Sequence, residues 1–193
     1  MRSFIAINLP ESVKSEIDAI IERLRPSGPP AKWVPGENLH LTLKFLDEIT
    51  VEQVAAIRGA ITLAADGLAP FEIRLRGFGV FPNEAKARVF WIGIESGYEI
   101  MKTLAAKIDE QVAPLGFERE KRPFSAHVTL ARLREPAPAG RLVRAAEHMP
   151  YQSEPISVRS IELMRSVLSP KGASYSVLES VPLKPQQIGE RLA

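Results

Sequence analysis

His40-Leu41-Thr42-Leu43 and His127-Val128-Thr129-Leu130 are one phrase written twice, 87 residues apart. The first copy runs on into Lys44 and Phe45, the second into Ala131 and Arg132. The chain has three histidines, and two of them open these copies. The alternating polar and apolar residues of each copy predict a half-buried strand. Alternation places His40, Thr42 and Lys44 on one face, against Leu41, Leu43 and Phe45 on the other. In the second copy His127 and Thr129 share a face opposite Val128 and Leu130. One face of each strand is therefore core and the other polar. His and Thr two residues apart stand roughly 6–7 Å apart along a strand, so one tetrahedral anion can touch both.

Working outward, the chain runs twice through one order of elements. The first round has a strand at 4–9 and a helix at 10–25. Pro10 opens that helix, and Val13, Ile17, Ile20 and Leu24 recur along it at helical spacing. A short strand at 32–34 precedes the strand at 39–46 that carries the phrase. Thr50 and Gln53 form a capping box for a helix at 50–66, and a strand follows at 71–76. Gly77-Phe78-Gly79 reads as a bulge or turn rather than a phosphate loop. The second round has a strand at 87–95 and a helix at 97–114, with Ile100, Leu104, Ile108, Val112 and Leu115 on its apolar face. The second phrase, a linker at 135–140, a helix at 141–148 and strands at 156–164 and 174–178 complete it. Phe4 lies 36 residues before His40, and Phe90 lies 37 before His127. This is too long a period with too few copies for a solenoid, and it predicts a duplicated βαβ-type lobe. A pseudo-twofold between the lobes would set the two phrases face to face across a groove. We expect one domain over 1–184, built of two intertwined lobes, with a solvated tail at 185–193.

Composition bounds the chemistry. The hydrophobic share of 45% and charged share of 25% are those of an ordinary globular protein. The absence of cysteine excludes disulfides, thiolate nucleophiles and metal–thiolate sites. No apolar run approaches the ~20 residues of a membrane span, and no signal-peptide pattern opens the chain, so a cytoplasmic protein without a membrane partner is expected. A net charge of +2 suits an anionic substrate without identifying one.

Two facing imidazoles with hydroxyls and cations around them suit a phosphodiester. Hydrolysis needs a base for water, an acid for the departing oxygen and donors for the non-bridging oxygens. Histidine titrates near pH 6.5, so one ring can be neutral while the other is protonated. In-line displacement puts base and acid on opposite sides of phosphorus, which two strands can supply. Thr42 and Thr129 can donate to phosphoryl oxygens, and Lys44 and Arg132 can neutralise charge. Two histidines with no carboxylate on their face make a poor metal site. A single strand histidine is usually structural, and His148 reads that way, as a last-turn helix residue. A repeated phrase on matching strands is harder to explain so.

Paired His-x-Thr-Leu copies resemble the signature of the two-histidine phosphoesterases. The RNA 2′,3′-cyclic phosphodiesterase branch, once called 2′-5′ RNA ligase, is the nearer likeness. Residues 37–46 and 124–132 resemble its two motifs, and 88–93, 163–166, 170–172 and Tyr175 its flanking segments. Two positions depart from the usual pattern: Ala126 stands where Pro is usual, and Asp47 where Gly is common. The resemblance implies an α+β, bilobal fold with antiparallel sheets lining a central groove and helices outside. It implies opening of a terminal 2′,3′-cyclic phosphate on RNA to a 2′-phosphate, tRNA fragments among the substrates, by a monomer needing neither metal nor cofactor. Carried over, His40 is the proton donor and His127 the acceptor, with Thr42, Thr129, Arg132 and Lys44 on the phosphate; strand symmetry alone leaves those two roles open. Run backwards, the same pair would join a 2′-phosphate to a hydroxyl. Two alternatives stand beside this reading: an RNA-end binding module that does not turn over, and an enzyme for small cyclic nucleotides or an ADP-ribose cyclic phosphate.

Overall fold

The computed structural model describes residues 1–169 and 172–185; the expected tail, apart from Pro185, lies outside these, as do Pro170 and Lys171. In chain order the elements are β1 (Arg2–Asn8), α1 (Glu11–Leu24), β2 (Ala31–Trp33), β3 (His40–Glu48), α2 (Gln53–Ala64), β4 (Phe71–Phe81), β5 (Ala87–Ser96), α3 (Tyr98–Val112), β6 (Val128–Ala137), α4 (Gly140–Glu147), β7 (Ile156–Val158), β8 (Ser160–Ser169) and β9 (Gly172–Pro182). Among the described residues no helix is long and apolar enough to cross a membrane.

The fold is α+β. The strands form a sheet of order β7-β4-β5-β6-β3-β1-β8-β9, with β2 also against β6, and every pairing is antiparallel. β3 and β6, which carry the two phrases, are central neighbours joined through the pair Leu41–Val128. A pseudo-twofold through that pair relates β3 to β6, β1 to β5 and β8 to β4. One long late strand of each round crosses over: β4 pairs with β5, and β8 with β1.

The helices cover the apolar face of this sheet. α1 buries Val13, Ile17, Ile21 and Leu24. Ile21 takes the place expected of Ile20, because a step of four residues returns to the same face. α3 buries Met101, Leu104, Ala105, Ile108 and Val112, whereas Ile100 is exposed. α2 adds Ile57, Ala60, Ile61 and Ala64 to the same continuous core. Its capping box is half formed: the Thr50 amide donates to Gln53 Oε1 at 2.9 Å, and the helix begins at Gln53 rather than Thr50.

Both phrase strands carry a β-bulge at the same place. On β3, Lys44 pairs with Ile5 and Thr42 with Ala6, which leaves Leu43 as the extra residue. On β6, Ala131 pairs with Phe90 and Thr129 with Trp91, which leaves Leu130 extra. An inserted residue reverses the alternation beyond it. So Leu43 and Lys44 are buried in succession while Phe45 is exposed; Leu130 and Ala131 are buried in succession while Arg132 is exposed. The same register matches Ile5, not Phe4, with Phe90. Phe90 is core, and Phe4 lies on the groove side.

β4 runs through Gly77-Phe78-Gly79 as a bulged strand and does not turn. Gly79 is required there by its partner across the ladder, since a Cβ would overlap the Trp91 ring. The departure at Asp47 has a backbone cause, since it adopts φ 54°, the left-handed region that favours Gly and that Asp tolerates.

Candidate active site

The antiparallel register about Leu41–Val128 sets His40 across from Thr129 and Thr42 across from His127. The two histidines are then diagonal neighbours on one face, about 7–8 Å apart at the backbone. Each is fixed in the same way. His40 Nδ1 donates to the carbonyl of Asn38 at 2.7 Å, and His127 Nδ1 donates to that of Ser125 at 2.8 Å. A carbonyl only accepts, so each Nδ1 carries the proton and each neutral ring keeps an unprotonated Nε2. The Thr42 hydroxyl donates to His40 Nε2 at 3.1 Å.

Aromatic rings collar each imidazole. Phe4 stacks on His40 at 4.7 Å and Tyr175 meets it edge-on at 5.2 Å. Phe81 meets His127 edge-on at 5.1 Å, with Trp91 at 6.3 Å. Tyr175 comes from the distal part of the β8–β9 hairpin, which runs on past its pairing with β1. Asn38 Nδ2 donates to the Ala173 carbonyl at 2.7 Å, so one residue holds both His40 and the hairpin that covers it.

Burial pushes His40 down to about 4; the Asn38 carbonyl opposes this, and the charges of Arg132, Lys14 and His127 deepen it. His127 is also lowered by burial, against the Ser125 carbonyl and with the help of Arg132. Both rings are therefore neutral at pH 7 in the empty groove. An anion bound between them reverses the balance, because it favours the charged ring.

This gives a stability prediction. A histidine held below its unfolded value of about 6.5 binds fewer protons folded than unfolded, so its contribution is complete above that pH and is lost as pH falls towards 4. Denaturant titrations between pH 7 and pH 4 should show wild type losing about 3 kcal/mol more than a His40→Gln variant. Parallel losses would show that His40 protonates freely in the folded protein.

Arg132 is on the groove face because of the bulge; strict alternation would have put it opposite His127. Its charge reaches both imidazoles. Lys44 is where the expectation from alternation fails. The matching bulge turns it to the helix side, where it is buried; Nζ donates to Asp109 Oδ1 and to the Glu118 carbonyl, both at 2.5 Å. Lys44 is therefore not a groove cation. It ties β3 to α3 and to the loop that leads into His127. Tyr98 steadies the same loop by donating to the Phe124 carbonyl at 2.7 Å. His148 ends α4, its Nδ1 donating to the Arg144 carbonyl at 2.7 Å, as a last-turn histidine should.

The model of the LigT like phosphoesterase family matches the chain twice, over residues 7–91 and 93–175, one match around each phrase. The chain belongs to that family. RNA 2′,3′-cyclic phosphodiesterases from Archaeoglobus fulgidus and Thermus thermophilus are 36% and 37% identical to it. The first alignment covers 92% of this chain and 98% of the relative, the second 95% and 91%. Among solved structures, TT0787 of Thermus thermophilus superposes with a TM-score of 0.75 at 33% identity, over 96% of this chain and 99% of that one. E. coli LigT complexed with 3′-AMP superposes with a TM-score of 0.67 at 27% identity, over 94% and 97%.

Some of the site escapes a sequence reading. Asn38 and Ser125 could have been found, since each lies two residues before its histidine. Phe4, Phe81 and Trp91 could not, because nothing local shows which face of their strands they take.

Proposed function

We propose that this protein is a metal-independent RNA 2′,3′-cyclic phosphodiesterase that leaves a 2′-phosphate, and that the same site can run in reverse as a 2′-5′ joining activity. One observation carries the reading: two imidazoles, held alike by backbone carbonyls on adjacent strands, with Arg132 acting on both. The names of the relatives support the substrate class. The route without metal rests on what two imidazoles supply between them, one as acid and one as base.

In the reaction water attacks phosphorus, the bond from phosphorus to O3′ breaks, and the phosphate stays on O2′. One histidine takes the proton of water and the other supplies a proton to O3′. The charge of His127 disfavours that of His40, which favours a pair carrying one proton over a pair carrying two. That singly protonated pair has one acid and one base. Thr42, Thr129 and Arg132 hold the non-bridging oxygens.

The resemblance gives His40 the donor role. Its deep burial favours the opposite assignment in the empty groove, since the ring that is harder to charge is the better candidate for base. The pH–rate profiles of single His40 and His127 variants separate the two: the limb of the bell that disappears names the role lost.

Incubation with EDTA and an oligoribonucleotide ending in a 2′,3′-cyclic phosphate should give a 2′-phosphate end. A 3′-phosphate product, or no product, would sink the proposal. Undiminished turnover by a variant lacking both histidines would do the same.

A further inference from the structure

The groove is not symmetric in charge. Beyond the bulge on β6, Arg132 and Arg134 are both exposed on either side of buried Leu133 and stand about 6–7 Å apart along the strand. Lys32 on β2 is directly opposite Arg132 in the ladder, on the same face. All three are exposed, and among the described residues none is in an ion pair. Like charges directly opposite on neighbouring strands destabilise a sheet. Packing does not explain that pair, whereas a ligand of opposite sign does.

The pseudo-twofold sharpens the point. The residues 87 positions before Arg132 and Arg134 are Phe45 and Asp47, one aromatic and one acidic, with Leu46 an extra residue between them in the pairing with β1. Arg119, 87 residues after Lys32, lies in no strand, and its Nε is drawn to Asp109 Oδ2 at 3.3 Å. One half of the groove is thus a strip of free cations, and the other offers an exposed ring, Phe45, beside Phe4.

We propose that Lys32 and Arg134, flanking Arg132, form a subsite for the phosphates on the 5′ side of the reacting one, so that single-stranded RNA leaves the site along β6 and β2. The proposal rests on the cyclic phosphodiesterase reading and deepens it by assigning the path of the RNA chain upstream of the reacting phosphate. The spacing of successive cations along one strand suits successive phosphates, each bound as a point charge without reading the base.

The test is binding of a labelled oligoribonucleotide that ends in a 2′-phosphate, with nucleoside 2′-phosphate as the short comparison. The protein is wild type, a Lys32→Gln/Arg134→Gln double variant, or an Arg23→Gln/Arg141→Gln control on α1 and α4 with the same loss of charge. The double variant should bind the oligonucleotide about tenfold more weakly at low salt, and the slope of log K against log salt should fall by about 1.4, or about 0.7 per lost contact. Its affinity for nucleoside 2′-phosphate should stay within about twofold of wild type, since the terminal phosphate lies elsewhere. Equal losses in the control, equal losses on both ligands, or no loss on the oligonucleotide would each overturn the subsite. Because binding of product is the readout, this pattern in a protein that opens no cyclic phosphate would refute the activity and leave the subsite standing.

Discussion

Replacing His127 with alanine is expected to lower kcat on RNA ending in a 2′,3′-cyclic phosphate by about 10²–10⁴-fold, with KM little changed. The same loss is expected for His40→Ala. A positioned acid or base acts in the transition state, whereas the proposed reaction assigns ground-state binding of the phosphate to Thr42, Thr129 and Arg132, which both variants keep. The two losses should not add. Once one proton transfer falls to solvent, the remaining histidine has no partner to share the proton with, so the double variant should be about as slow as the slower single one. Each ring is joined to the chain's own carbonyl and to neighbouring aromatic rings, so denaturant unfolding of each variant is the control that separates a lost acid or base from a lost fold. A variant of either histidine that keeps full kcat would remove that ring from the reaction.

The fold was legible in the sequence where duplication was. The repeated phrase, the helix spacing after each first strand and the matched offsets together require two equivalent halves, and those are what the sheet contains. The polar face was legible as far as Thr42 and Thr129. It stopped being so one residue later, because a bulge has no local signature in Leu43-Lys44 or Leu130-Ala131. Alternation gave Lys44 the right chemistry for a phosphate and the wrong face. Arg132, taken with the phosphate set despite its parity, does reach the groove, and the second bulge is the reason. The strand matched to Phe90 through Phe4 failed likewise: the true register runs through Ile5, and only ladder pairing could reveal it. The hairpin over His40 was out of reach for a different reason. Its contacts with Asn38 and His40 join residues more than 130 positions apart, and no periodicity spans that distance.

The buried Lys44–Asp109 pair should be among the most sensitive points for stability, and its two partners should not be equivalent. Both side chains are nearly enclosed, at 8% and 13% exposure. Burial alone would raise the Asp109 carboxyl, yet hydrogen bonds from Lys44, the Glu120 amide and Arg119 hold it below its ordinary value. Asp109→Ala removes the counter-charge and leaves the Lys44 ammonium in the core with only the Glu118 carbonyl. An uncompensated buried charge of that kind costs about 3–5 kcal/mol. Lys44→Met should cost less, because Asp109 keeps the Arg119 guanidinium and the Glu120 N–H, and the Met stem still fills the core-facing position. Denaturant unfolding of the two variants gives the order directly, and a loss below about 1 kcal/mol for Asp109→Ala would mean the pair is solvated. Activity should fall as well, measured where the variants remain folded, because the loop that Lys44 and Asp109 hold at Glu118 and Glu120 continues into His127. The second copy shows what this position is for when it carries no charge: Ala131, the equivalent of Lys44, is fully buried against Phe90. The bulge gives each strand one extra core-facing residue, used for packing in β6 and for tethering the opposite half of the site in β3.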